Sequence, residues 1–374
     1  MASIQRRENG KWRARYREPS GRERARHFEK KSDAQRWLDS VKSDLVRGSY
    51  VDPDAGRRRF RDYAADWRAS RVHRPTTAVQ LESHLRHHIL PTFGDKPLAA
   101  IRPSEVQAWI KSRSEVLQPT TVEVVYRWLS AIMRAAVDDG LIARSPCRGV
   151  KLPRKERRQI IPPTTEDVFA VRDALPERYA ALVTLAAGTG LRQGEAFGLT
   201  LSHVDFLRRA VRVEQQMVKV QGHPPTLGPP KTDASHRTVP LPQAVAEALA
   251  RHLEAFPAAS DGLIFTNKHG APINRSRFSD VWRQAVRDGA PSRPVRFHDL
   301  RHFYASLLIR HGESVKVVQA RLGHASASET LDTYSHLWPD SEDTTRDAVD
   351  SVLQAHAVAE TDAQSRTIGQ GWVR

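Results

Sequence analysis

The apolar residues of this chain change their period along its length, and that change constrains the fold more than any composition figure. Between residues 57 and 150 they recur at helical spacing. Phe60, Tyr63, Ala64 and Trp67 stand at i, i+3, i+4 and i+7, and Leu81, Leu85 and Ile89 continue as a second stripe. Pro103-Ser104-Glu105 opens a third helix carrying Val106, Trp109 and Ile110. Val122, Val125, Tyr126, Leu129, Ile132, Met133 and Ala136 hold the period for about four turns until Asp139-Gly140 stops it. Each stripe needs a partner face, so four in succession predict a four-helix domain over 56–150. The first residues obey a different rule: Trp12, Ala14 and Tyr16 alternate with Arg13, Arg15 and Arg17, the pattern of a strand with one packed and one cationic face. A turn at Glu18-Pro19-Ser20-Gly21 lets the basic run to Phe28 pair back as a hairpin. Ser32, with Gln35 three residues on, reads as a capping box opening a helix through Trp37, Leu38 and Val41.

Beyond residue 163 the pattern is mixed and mainly helical. Helices are predicted over 165–175 and 178–187 and strands over 211–220 and 237–241. Val349, Val352 and Leu353 mark a short amphipathic helix. Residues 151–163 combine prolines with positive charge and have no apolar period, which predicts a semi-extended basic linker. The expected organisation is a multidomain, mainly α chain with small β elements: a basic unit (1–55), a helical domain (56–150), the linker (151–163), a mixed domain (164–357) and a flexible tail (358–374).

Charge narrows the partners. A formal net charge of +16 and an isoelectric point near 10.3 point to a polyanion, and no apolar stretch is long enough for a membrane span. The first fifty residues alone hold 14 Lys and Arg against 7 Asp and Glu. Arg13, Arg15 and Arg17, with the linker's Arg154, Arg157 and Arg158, are therefore the candidate nucleic-acid contacts. The single cysteine, Cys147, excludes an internal disulfide framework and reads as a small buried residue. The polar first ten residues lack the apolar core of a signal peptide, and a cytoplasmic location is expected.

One ordered set of residues carries chemistry. Arg192 follows Gly188-Thr189-Gly190-Leu191, where the glycines suggest a phosphate loop; yet no Gly-Lys-Ser/Thr follows, nor does G-x-G-x-x-G spacing. The useful geometry is a helix start that projects Arg192, with Glu195 able to brace the guanidinium. His298 and Arg301 lie three residues apart, so one helix face can bring both to one phosphate. His298 and His302 have the outer spacing of a zinc-protease motif, but Asp299 replaces its glutamate and no further acidic ligand follows. His84, His87 and His88 likewise lack acid or thiol partners. No metal site is predicted. Lys231 lies in a turn-rich segment between strands, where a flexible hairpin could deliver a proton.

Thr189-Gly190-Leu191-Arg192-x-x-Glu195, Lys231-Thr232-x-x-Ser235-x-Arg237, His298-x-Leu300-Arg301-His302, Leu322-Gly323-His324 and Tyr334-x-His336 together resemble the phage integrase branch of the tyrosine recombinases. The helical segment is similar to that family's core-type DNA-binding domain. The first fifty residues look like the arm-binding domain of actinobacterial phage and mobile-element integrases, which implies a three-stranded sheet with a helix. Phe303 departs from the small or hydroxyl residue common in relatives, and this bears on packing rather than chemistry.

The resemblance implies a site-specific recombinase in which Tyr334 attacks the scissile phosphate to leave a 3′-phosphotyrosine. His298 would be the base, Lys231 the acid, and Arg192, Arg301 and His324 the stabilisers of transition-state charge. It implies no cofactor, attachment-site duplex DNA as substrate, a homotetramer on DNA, and an excisionase and a DNA-bending host factor as accessory partners, with a nucleoid-associated location. The alternatives are a type IB topoisomerase-like enzyme and a DNA-binding regulator without catalysis.

Overall fold

The computed structural model describes residues 2–18, 21–47, 52, 54–156, 159–220, 222–338, 346–347, 349–351 and 353–354. The linker arginines 157 and 158 and the expected tail lie outside them. The chain divides into two compact units, Met1–Arg157 and Arg158–Arg374.

In the first unit, β1 (Ser3–Arg6), β2 (Trp12–Arg17) and β3 (Glu23–Phe28) form an antiparallel sheet in sequence order, packed on α1 (Lys31–Val46). The alternation in β2 decides its facing: Ala14 and Tyr16 are buried against Ala34 and Leu38, while Arg15 and Arg17 are exposed. Helix α1 begins one residue before the expected cap. Lys30 is its N-cap, no side chain caps it, and Gln35 bonds Asp39 instead. Arg24 on β3 is shared by Glu18, Asp52 and Asp54, which ties the segment after the helix back to the sheet.

A second core follows, built by α2 (Phe60–Ala69), α3 (Pro75–His84), α4 (Leu90–Phe93), α5 (Pro103–Ser114) and α6 (Pro119–Asp138). Proline opens α3, α5 and α6, where its fixed φ suits a first turn and its missing N–H costs nothing. Between α3 and α4 the helix widens into a π turn, Leu85–Ile89. Pro91 explains it, because its ring would strike the carbonyl four residues back and it has no N–H to donate. The predicted stripes are the core, and Cys147 is buried among them. The Tyr63 hydroxyl donates to Asp139 at 2.6 Å, fastening α2 to the end of α6. The start of the linker is also held: Gln107 exchanges two hydrogen bonds with the Lys151 backbone, and Lys155 pairs with Glu123. Arg154 is exposed.

The second unit contains α7 (Thr165–Asp173), α8 (Glu177–Thr189), α9 (Gln193–Phe197), β4 (Val204–Asp205), β5 (Ala210–Val213), β6 (Gln216–Val218), β7 (Thr226–Gly228), β8 (Arg237–Pro240), α10 (Gln243–Ala255), α11 (Arg275–Gly289), α12 (Asp299–Arg310), α13 (Val315–Leu322) and α14 (Ala327–Tyr334). Helix α8 is central and packs on α7, α10 and α12. The strand expected over 211–220 divides in two. β5 joins the β4-β5-β8 sheet, and β6 pairs with β7 in a separate hairpin. Gln215 sits at the break with its amide donating to the Gly198 carbonyl. Phe303 is buried in the main core, and a smaller cluster joins Tyr304, Ile309, Val318, Leu322 and Tyr334. Val349 and Leu353 are helical and exposed, while Val352 lies outside the described residues. No helix among the described residues is long and apolar enough to cross a membrane.

Candidate active site

Two helices end in left-handed glycines, and the carbonyls they expose hold the two central arginines. Gly190 (φ 64°) closes α8 and its carbonyl accepts from Arg301 Nη1 at 2.8 Å. Arg301 Nη2 donates to the carbonyl of Leu322, the last residue of α13, at 2.5 Å. Gly323 (φ 63°) caps α13 and its carbonyl accepts from Arg192 Nη2 at 2.8 Å. Helix C-termini are where orphan carbonyls and the negative end of the dipole collect, so both cations are bound by backbone that cannot move independently.

Arg192 is the N-cap of α9, as its sequence context predicts. Its Nη1 donates to Glu195 at 2.8 Å and to Ser235 at 3.3 Å. Glu195 also receives a forked pair of bonds from Arg237, at 2.8 and 3.1 Å. Burial works to raise the Glu195 carboxyl, but Arg237, Arg192 and the Arg192 N–H outweigh it and hold it at about 2. Arg237 and Ser235 thus belong to the site, although only the Lys231-Thr232-x-x-Ser235-x-Arg237 spacing hinted at them. Burial and the neighbouring guanidinium groups Arg192 and Arg237 push Arg301 down to about 9, which leaves it charged at neutral pH.

Tyr334 ends α14 and is 1% exposed. Its hydroxyl lies 2.8 Å from His302 Nδ1, and its ring stacks on His324 at 6.4 Å with an interplanar angle of 11°. Burial pushes the phenol up to about 12 against the lowering effect of Arg301. His324 Nδ1 meets Thr330 Oγ1 at 2.9 Å, and burial together with Arg301, Arg192 and Arg237 pushes its imidazole down to about 3. Burial, then the charge of His298, pushes His302 down to about 4. His298 caps α12 at the open edge of the site. Desolvation by the protein crowding its ring, then Arg301, lowers its pKa, and its ring meets that of His302 at 5.0 Å.

The structure therefore brings Arg192, Arg301, His298, His324 and Tyr334 together. Lys231 stands apart: it is exposed and lies in the connection after β7, not at the tip of the β6–β7 hairpin. Thr232 and Ser235, three residues apart in that connection, bond each other at 2.9 Å and so lead from Lys231 back to Arg192. His302 stands in the recombinase-like motif but carried no assigned role from sequence. Its signal was the i+4 spacing from His298, which puts both imidazoles on one face of α12. Among the described residues no three His, Cys, Asp or Glu side chains converge as metal ligands do. His336, two residues past Tyr334, bonds the Ile160 carbonyl at 2.8 Å.

The phage integrase family profile matches residues 152–340, its central-domain profile 60–152, and a phage integrase N-terminal domain profile 2–48. A putative prophage phiRv2 integrase of Mycobacterium tuberculosis is 31% identical over 346 residues, covering 88% of this chain and 89% of the relative. The chain belongs to the phage integrase family. A tyrosine recombinase XerC-like protein of Caldanaerobacter subterraneus is 30% identical over 71% of this chain and 75% of its own. The fold matches the Tn1549 transposon integrase solved with transposon right-end DNA (TM-score 0.68, 21% identity, 79% of this chain and 99% of that one). It also matches a lambda integrase dimer bound to a core site (TM-score 0.60, 20% identity, 90% and 96%). As a tyrosine recombinase, the chain is an enzyme of DNA strand breakage and rejoining.

Proposed function

We propose that this recombinase cuts and rejoins attachment-site DNA through Tyr334, integrating or excising a mobile element. The observation that carries the reading is a buried phenol under the influence of Arg301, with Arg301 and Arg192 each held by a helix-end carbonyl. In the proposed reaction the phenol oxygen attacks phosphorus, the phosphorus–O5′ bond breaks, and a 3′-phosphotyrosine and a 5′-hydroxyl result. Only about one phenol in a thousand is ionised at pH 7 even at the unperturbed pKa near 10, so the proton must be taken by a base, a task the family resemblance gives to His298. Lys231 protonates the departing oxygen. Arg192, Arg301 and His324 bind the charge that grows on the nonbridging oxygens, and preorganised donors in a site closed to water are worth most there. One phosphoester replaces another, so rejoining needs no nucleotide cofactor, and the two guanidinium groups supply the positive charge a metal would.

Assembly as a homotetramer follows the lambda integrase tetramer solved on a Holliday junction, whose fold this chain shares. An excisionase and a DNA-bending host factor are the accessory partners of this reading, and the nucleoid its place of action. The test is a nicked suicide substrate run with excess EDTA and resolved on a denaturing gel. The intact enzyme forms a covalent adduct and Tyr334→Phe forms none while binding DNA normally. An adduct retained by the variant would move the nucleophile, with the buried Tyr304 next in line, and loss of the wild-type adduct in EDTA would restore a metal to the site.

A further inference from the structure

Among the described residues, the hydroxyl that attacks phosphorus in this reading touches one ionisable side chain by hydrogen bond, and it is not His298. His302 projects from α12, one turn beyond His298, and places Nδ1 2.8 Å from Tyr334 Oη. Its ring meets the phenol ring at 5.6 Å, edge on. Both residues are buried. We propose that His302 is the catalytic residue that takes the proton of Tyr334, while His298, in ring contact behind it at the open edge, serves the phosphate and the imidazolium that forms. This rests on Tyr334 being the nucleophile.

Three features support the assignment. The distance is within hydrogen-bond reach, which is the first requirement of a general base. A neutral imidazole is available, since burial keeps His302 well below its usual value. Arg301, His324 and Tyr334 are buried together with His302. The step balances: the O–H proton moves to His302 Nδ1, the oxygen–phosphorus bond forms, the phosphorus–O5′ bond breaks, and Lys231 gives its proton to O5′. On rejoining, each proton returns. Phosphate entering against Arg192 and Arg301 brings negative charge, which favours the imidazolium.

The test uses the full-length protein and the suicide substrate. In His302→Asn the amide oxygen can still accept from the phenol but cannot keep its proton; His302→Gln is a second variant in case the first fails to fold. Cleavage in a single turnover should fall about 100-fold or more at pH 7 with DNA binding retained. Between pH 6.5 and 8.5 the variant's rate should climb about tenfold per unit as phenolate accumulates, while the wild type stays nearly level. The groups facing His302 are His298, Asp299, Arg296, Arg301 and Tyr334, with His324 and Glu329 across the phenol. His302 and His324, pushed down to about 4 and about 3, are already neutral in that window. A substrate with sulfur at the 5′ bridging position, which departs without a proton, should rescue Lys231→Ala and leave His302→Asn slow. Cleavage by both His302 variants at the wild-type rate, faster cleavage that would make the contact a latch, or rescue by sulfur would each overturn the proposal. An adduct formed by Tyr334→Phe would instead overturn the reading on which it rests.

Discussion

Arg301 spans two carbonyls and Arg192 spans a carbonyl and the Glu195 carboxylate, pairs that a lysine could not bridge with one ammonium. Removing either guanidinium should cost about 10²–10³ in cleavage, the loss usual for one preorganised donor, with a much smaller loss in DNA affinity. Arg192→Ala and Arg301→Ala measured by single-turnover cleavage and by binding test this; equal losses in both would make them ordinary phosphate anchors. Glu195 acts one step back, through Arg192 and Arg237. Its folded value near 2 lies below the usual carboxylate range. Its stabilisation is therefore complete above the unfolded value and is lost as pH falls toward 2. Glu195→Gln should lower the melting temperature at pH 7, and the gap from the wild type should narrow as pH drops from 5 to 3. A gap independent of pH would show that shape, not charge, was lost.

At the scale of elements, the site depends on where helices stop. Gly190 combines a left-handed backbone with a close approach: a Cβ there would lie 2.4 Å from the Tyr304 ring and 3.1 Å from Leu322. Gly140 has a similar φ of 70° and open space around it. Gly140→Ala should therefore cost only the backbone term, about 1–2 kcal/mol, and leave cleavage intact. Gly190→Ala should cost more and also slow cleavage, because Tyr304 and the carbonyl holding Arg301 must shift. Denaturant melts and adduct yield on both variants separate the two effects. Gly190→Ala with full cleavage would show that the carbonyl's exact position is unimportant.

At the scale of the whole molecule, the sheet and α1 enclose a core of their own. Asp52 and Asp54 close back on Arg24, whereas Gly56 lies against Ala99, in the turn before α5. A cut after residue 55 thus follows a natural seam. If residues 1–55 hold a separate arm-type sequence, one protomer bridges two DNA segments and the second contact is made at high effective concentration. Deleting 1–55 should leave core-site cleavage measurable, abolish recombination of full attachment sites and flatten the salt dependence of binding to long DNA. Arg15 and Arg17 are exposed for that contact, although Arg13 and Arg15 already lie 3.6 and 3.7 Å from Glu23. A truncated protein that recombines full sites as well as the intact one would make the extension dispensable.

The helical stripes, the alternation in β2 and the ordered Arg, Lys, His and Tyr set were legible from the chain alone. Each is a local pattern in which spacing and residue type together dictate one face or one chemistry. Short strands were less legible: the run over 211–220 has β character throughout, and only Gln215 reaching the Gly198 carbonyl divides it. The start of α1 shifted for a related reason, since a capping pattern competes with whatever else its side chains can reach. What the tertiary structure alone decided is the wiring of the site. Gly190 and Gly323 are separated from Arg301 and Arg192 by 111 and 131 residues, and no local pattern reports which carbonyl meets which guanidinium. The contact of His302 with Tyr334 is of the same kind. Spacing on α12 put two imidazoles on one face, but only the placing of α14, which packs on α13, determined which of them the phenol touches.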